Sequence, residues 1–182
     1  MNTNTKKPKP SKFSQRLGIA TLALVVIWII STMLESPLLE VGTKAPPWSV
    51  ELADGSGERV KLQDMRGSVV VLSFWSTTCP PCMKELKNLD NLWPDYEQKG
   101  VRFIGIAAGG EDSERVRAFN KKKRLEFPLG ADDGTIAPRY QVNTLPALYV
   151  IDQNGKVAAA LSGYKSKEIL AREINIALAN QS

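Results

Sequence analysis

The 182-residue chain contains no histidine. That absence excludes His-based acid–base catalysis, Ser-His and Cys-His nucleophilic sites, and histidine-ligated metals. Cysteine is almost absent too: Cys79 and Cys82 are the only two. Two thiols without histidine cannot build a four-ligand zinc site, so no metal is expected. Nor is there an internal repeat. What remains is 43% hydrophobic and 24% charged, the balance of an ordinary globular domain. The length allows one domain with a sizeable core. The formal net charge of +5 invites, at face value, a nucleic-acid or membrane-surface partner.

The position of that charge changes its meaning. Residues 1–16 carry Lys6, Lys7, Lys9, Lys12 and Arg16 and no acid. The other 19 basic residues balance 19 acidic ones. Leu17 to Leu34 then forms an 18-residue run without a charged side chain. As a helix it would span about 27 Å, close to the thickness of a bilayer core. A basic flank ahead of an apolar run predicts the N-terminus in the cytoplasm and the rest of the chain outside. A cleaved signal peptide shares this polarity, but it has a shorter apolar region and a small-residue cleavage site. The run here ends in STMLESPLL, which lacks such a site. The reading is a cytoplasmic tail over 1–16, a signal-anchor over 17–34, a tether and domain entry over 35–47, and a soluble domain over 41–182. The cluster Lys121 to Arg124 reads as a solvated helix end, so no nucleic acid is expected.

Within the soluble domain, alternating segments Trp48–Leu52 and Glu58–Leu62 flank Asp54-Gly55-Ser56-Gly57 and predict a β-hairpin. Ser68–Trp75 and Val101–Ala108 are apolar runs that read as buried strands. Between them, Pro80 to about Gln98 has helical apolar spacing, with a kink expected at Pro94. Asp112 or Ser113 would cap a helix reaching about Arg124, and a short helix is expected over Thr135–Tyr140. Ala147–Asp152 and Lys156–Leu161 surround Gln153-Asn154-Gly155 and predict an antiparallel pair. Ser166 would cap a last amphipathic helix ending near Ala179. The order β-β-β-α-β-α-α-β-β-α implies a mixed α/β sheet with helices on both faces.

The chemistry concentrates in FWSTTCPPCMKEL, Phe74 to Leu86. Here a Cys-x-x-Cys pair sits where a buried strand hands over to a helix. The two-residue gap allows Cys79 and Cys82 to close a small disulfide. Cys79 would lie at the helix N-terminus, where free N–H groups favour a thiolate. Pro80 and Pro81 suit a first helical turn. Lowering a thiol pKa from about 8.5 to about 7 takes roughly 2 kcal/mol. A helix dipole supplies about 0.3–1 kcal/mol, so direct hydrogen bonds to the Cys79 sulfur are also needed. The nearest candidate donor is the Cys82 thiol. A purely structural bridge is the competing reading, but so short a loop removes little chain entropy and makes a weak staple. The pair therefore reads as redox-active.

The order of FWSTTCPPC, KEL and YQVNTLPALYVIDQNGKV resembles the thioredoxin superfamily. More narrowly it is similar to the membrane-anchored TlpA/ResA/CcmG (DsbE-like) thiol-disulfide oxidoreductases, over about Val41 to Ala179. The resemblance implies a thioredoxin-like fold and a protein-disulfide reductase that needs no cofactor. It implies a cis Pro146 beside the cysteines, with the Leu145 backbone free to pair with an extended substrate. It implies a substrate groove formed by Trp75, Thr78, Pro80, Pro81, Leu145 and Pro146. Thr78 stands where the family usually has Trp, Thr144 where Gly is common, and Ala147 where Thr is common. Glu85, three residues after Cys82, matches a family glutamate, and helical spacing puts it on the Cys82 side. It would exchange a proton with Cys82. A solvated carboxylate near Lys84 is the alternative.

The implied substrates are disulfides of exported proteins, as in cytochrome c biogenesis or metal-site assembly. The implied electron donor is a membrane protein of DsbD or CcdA type, and the implied place is periplasmic or otherwise extracytoplasmic. Three other readings compete. The same chemistry run in reverse would be a dithiol oxidase or isomerase. A peroxiredoxin-like peroxidase would require Pro and Thr where Leu72 and Ser76 stand. A copper-handling protein would require wider cysteine spacing and a histidine.

Overall fold

A computed structural model describes residues 21–22, 24–26 and 38–180. The chain divides into a unit Met1–Ser36 and a unit Pro37–Ser182. The basic tail over 1–16 and most of the anchor expected over 17–34 lie outside the described residues. Residues 21–22 and 24–26 are helical and exposed. No helix among the described residues is long and apolar enough to cross a membrane.

The second unit opens on a hairpin of β1 (Ser49–Glu51) and β2 (Arg59–Lys61), with Val50 opposite Val60. A 3-10 turn over Leu62–Met65 leads to β3 (Val70–Trp75), α1 (Pro80–Glu97) and β4 (Arg102–Ala107). Then come α2 (Ser113–Lys123), β5 (Leu129–Ala131) and α3 (Ile136–Arg139). The chain finishes with β6 (Ala147–Ile151), β7 (Val157–Ser162) and α4 (Lys167–Ala179). The main sheet runs β5-β4-β3-β6-β7. β3, β4 and β5 are mutually parallel, while β6 is antiparallel to β3 and to β7. This is the mixed, helix-flanked sheet of a thioredoxin-like α/β fold.

Every residue of β3 is buried, as a central strand covered on both faces must be. Its side chains still alternate. Val71 and Trp75 join a cluster built with Leu86 and Leu89 of α1, Val116 of α2, and Leu170 and Ile174 of α4. Val70, Leu72 and Phe74 face the other way, onto Val50, Leu62, Ile136 and Tyr140. The second face is thus closed mainly by the hairpin, the 3-10 turn and the four-residue α3. The three longer helices share the first face.

Several expectations need correcting. β5 is absent from the sequence reading because three residues, Leu129-Gly130-Ala131, carry no periodicity. The strand exists because β4 offers a parallel edge, pairing Ile106 with Gly130. Gly130 also lets the hairpin close in, since a Cβ there would stand 2.9 Å from Val50 Cγ2 and 3.1 Å from the Glu51 carbonyl oxygen. α1 continues through Pro94 as one helix, forgoing one helical N–H donor. Ser166 occupies the N-cap position of α4, but its side chain makes no capping hydrogen bond. Asp112 does cap α2, accepting from the Arg115 N–H at 2.7 Å. The expected tether is partly docked. Gly42 donates to Val157 at 2.7 Å, and Ala45 to Gly155 at 2.9 Å.

Candidate active site: a cysteine pair between two buried carboxylates

The site is built where β3 ends. After Trp75 the chain turns through Ser76, Thr77 and Thr78, and α1 begins at Pro80. Cys79 is the N-cap residue, in an extended backbone conformation, and two prolines fill the first helical positions. Proline suits that place because the first-turn N–H groups have no helical partner. The Cys79 N–H donates to the Ser76 carbonyl at 3.2 Å, which closes the turn.

Cys79 and Cys82 form a disulfide with their Cα atoms 5.2 Å apart. Cys82 is fully buried, whereas Cys79 is half-buried and edges the same apolar cluster. The outer sulfur is therefore the accessible one. The Cys82 backbone N–H donates to Cys79 Sγ at 3.3 Å. The expected donor, the Cys82 thiol, belongs to the reduced protein; in this oxidised pair its sulfur is bonded to Cys79. The cap is supplied by the main chain of Cys82, because a helix N-terminus presents its N–H groups to the N-cap side chain.

The Leu145–Pro146 peptide bond is cis, as the resemblance implied. Phe74 pairs with Ala147 across β3 and β6, and this register sets Pro146 beside the end of β3, where the cysteine loop starts. Pro146 is buried and Leu145 half-buried. Among the described residues the Leu145 backbone makes no hydrogen bond. Thr78, Pro80 and Pro81 are exposed, so they can line a groove. Trp75 cannot. It is 0% exposed and packs on Phe119 with ring centroids 4.8 Å apart. Strand alternation turns it inward, under the loop, and Gly105 makes room for it. A Cβ at Gly105 would lie 3.1 Å from Trp75 Nε1 and 2.7 Å from Leu129 Cδ2. Trp75 supports the groove from beneath.

Glu85 projects from α1 and is 1% exposed. Its Oε2 accepts from the Lys165 N–H at 3.0 Å, and its Oε1 is buried without a partner among the described residues. Burial is the larger influence and pushes its carboxyl up to about 7, against the lowering effects of the Lys165 N–H and the Lys165 charge. The solvated alternative beside Lys84 is thereby excluded. The group can take up and release a proton near neutrality.

A second buried carboxylate was missed in the sequence. Glu111, 7% exposed, precedes the cap of α2. Its Oε1 accepts from the Thr77 N–H at 2.7 Å, the Ser76 hydroxyl at 2.8 Å and the Thr77 hydroxyl at 2.9 Å. Its Oε2 is buried without a partner among the described residues. Arg115 Nε adds a bond to Thr77 Oγ1 at 3.1 Å. One acidic side chain thus holds the loop ahead of Cys79 from 34–35 residues away. No local signal marks it. Among the described residues no group of acids or cysteines could hold a metal.

A buried inner sulfur, a capped outer sulfur and a cis-proline on a thioredoxin-like sheet define a thiol-disulfide oxidoreductase. The chain belongs to the AhpC/TSA family, whose model matches residues 41–160. It is 38% identical over 133 residues to a thiol-disulfide oxidoreductase ResA of Bacillus cereus, covering 72% of this chain and 75% of that one. It is 33% identical over 171 residues to the ResA of Geobacillus kaustophilus, covering 90% and 97%. Among solved structures it is similar to a putative thiol:disulfide interchange protein DsbE from Chlorobium tepidum. That likeness has a TM-score of 0.70 and 31% identity, over 77% of this chain and 99% of that one.

Proposed function

We propose that this protein reduces disulfides of exported proteins, with its thioredoxin-like domain held outside the cytoplasm by a 17–34 signal-anchor. The observation that carries the chemistry is the contrast between the two sulfurs: Cys79 half-buried and capped, Cys82 wholly buried. In the reduced protein the Cys79 thiolate attacks one sulfur of a substrate disulfide. The substrate S–S bond breaks, and its electron pair leaves on the second substrate sulfur. The Cys82 thiol then gives its proton to Glu85 and attacks Cys79 Sγ. This closes Cys79–Cys82 and releases the other substrate sulfur as a thiolate. Two electrons pass from the dithiol to the substrate. The Leu145 main chain, free of partners, pairs with an extended segment of the substrate. A DsbD- or CcdA-like membrane donor returns the electrons, and tethering raises its effective concentration.

Direction depends on potential, since about 30 mV shifts the equilibrium tenfold. A redox titration against glutathione checks it. A strongly oxidising value would make the protein an oxidase instead. The main test is trapping. Cys82→Ser, expressed as the full chain, should accumulate mixed disulfides through Cys79, and mass spectrometry would name the substrates. Recovery of no adducts would overturn the reductase reading. A pH profile of Cys82 alkylation unchanged in Glu85→Gln would remove Glu85 from the mechanism.

A further inference from the structure

Thr78 is exposed immediately before Cys79, and its hydroxyl lies 3.0 Å from Ser76 Oγ. Distance alone leaves the direction of that bond open. The surrounding bonds settle it. Oε1 of Glu111 already accepts from the Thr77 N–H and the Thr77 hydroxyl, so it is an acceptor toward Ser76 as well. It therefore takes the one hydroxyl proton of Ser76, at 2.8 Å. Ser76 Oγ is left with lone pairs only. It accepts the Thr78 N–H at 3.2 Å, and it must also accept the Thr78 hydroxyl proton. The Thr77 hydroxyl follows the same order, donating to Glu111 and accepting from Arg115 Nε. The hydroxyl protons of Ser76, Thr77 and Thr78 are thus all held by Glu111 or within the loop.

We propose that Glu111 is a positioning residue that makes Thr78 an acceptor-only contact for the substrate. Thr78 has no proton left to offer, so its outward lone pairs select an N–H beside the attacked disulfide and disfavour a carbonyl oxygen there. The substrate class is a polypeptide that presents a main-chain or side-chain N–H next to its cysteine. This rests on the disulfide-exchange reading above. It adds a specificity determinant at the position where the sequence departs from the family's Trp.

The test uses reduced full-length protein and short disulfide-bridged peptides. Each amide flanking the attacked cysteine is replaced in turn by an ester, which removes one N–H. Wild-type kcat/KM should fall about fivefold at one position besides any read by the Leu145 main chain, the worth of one neutral hydrogen bond. Thr78→Ser should keep that discrimination, and Thr78→Val should reduce it below twofold. Glu111→Gln, whose amide oxygen still accepts, should keep most of it. Glu111→Leu, which frees the Ser76 proton, should lose it. Thr78→Val decides the matter even where Glu111→Leu fails to fold. Discrimination that is equal in wild type and Thr78→Val at every position, or absent at every position, overturns the proposal. Failure of the wild type to reduce the all-amide peptide overturns the exchange reading itself, and this inference with it.

Discussion

Glu85 and Glu111 are both buried carboxylates close in the chain or by hydrogen bonds to the segment around Cys79 and Cys82, yet they are solvated by the protein in opposite ways. Each leaves one oxygen without a partner among the described residues, but Glu85 receives only a single N–H, from Lys165. Burial therefore dominates, and its carboxyl titrates near neutrality. Glu111 receives three donors on one oxygen, all from Ser76 and Thr77. Those bonds make it an anchor for a loop. Burial alone does not assign a role to an acid. The donors aimed at it do, and they decide whether it serves as a proton store or as a clamp.

The contrast can be broken by experiment, and the largest effect belongs to Glu85. Its carboxyl is held at about 7 in the folded protein against 4.5 unperturbed. Between those values the native state binds more protons than the unfolded one, so stability falls as pH rises. The cost is absent below about pH 4.5 and complete above about pH 7, on the order of 3 kcal/mol. Denaturant unfolding of the oxidised protein across that range should show the fall, and Glu85→Gln should remove it. A wild-type curve as flat as that of Glu85→Gln would show that Glu85 is not held neutral.

Glu111 should respond to shape and acceptor capacity instead. Glu111→Leu strands the buried Ser76 hydroxyl and the Thr77 N–H, and should destabilise the fold by about 2 kcal/mol. Glu111→Gln should lose less than about 1.5 kcal/mol, because an amide oxygen still accepts. Equal losses for the two variants would mean that volume, not hydrogen bonding, is what Glu111 supplies. The smallest effect sharpens the comparison most. The hydrogen bonds found for the two acids have no partner in common, so Glu85→Gln and Glu111→Gln should add to within about 0.5 kcal/mol. A larger coupling energy would show that the acids act as one network across the cysteines.

Much of the fold was legible because its signals are local. The apolar run before Trp75, the proline pair after Cys79 and the turn Gln153-Asn154-Gly155 each mark an element boundary by chain chemistry alone. In that turn the Asp152 carboxylate takes the Asn154 and Lys156 N–H groups, as such turns do. β5 was hidden because three residues have no period, and a parallel edge strand exists only once β4 is in place. Trp75 was misplaced because the family resemblance put it in the groove, while the pleat of β3 turns it toward Phe119. Glu111 was hidden because nothing near it in the chain concerns Cys79.

By itself, the sequence determined the chemistry available. Without histidine, and with two cysteines three positions apart at a strand-to-helix junction, thiol–disulfide exchange is what the side chains can perform. It also placed Glu85 on the helix side of Cys82, since helical spacing is a local property. Tertiary structure alone decided how the acids behave. Desolvation of Glu85 requires a core packed over it, and the hold of Glu111 on Ser76 and Thr77 requires α2 to be docked against the loop. Both are effects of contact between distant segments. No window of sequence contains them.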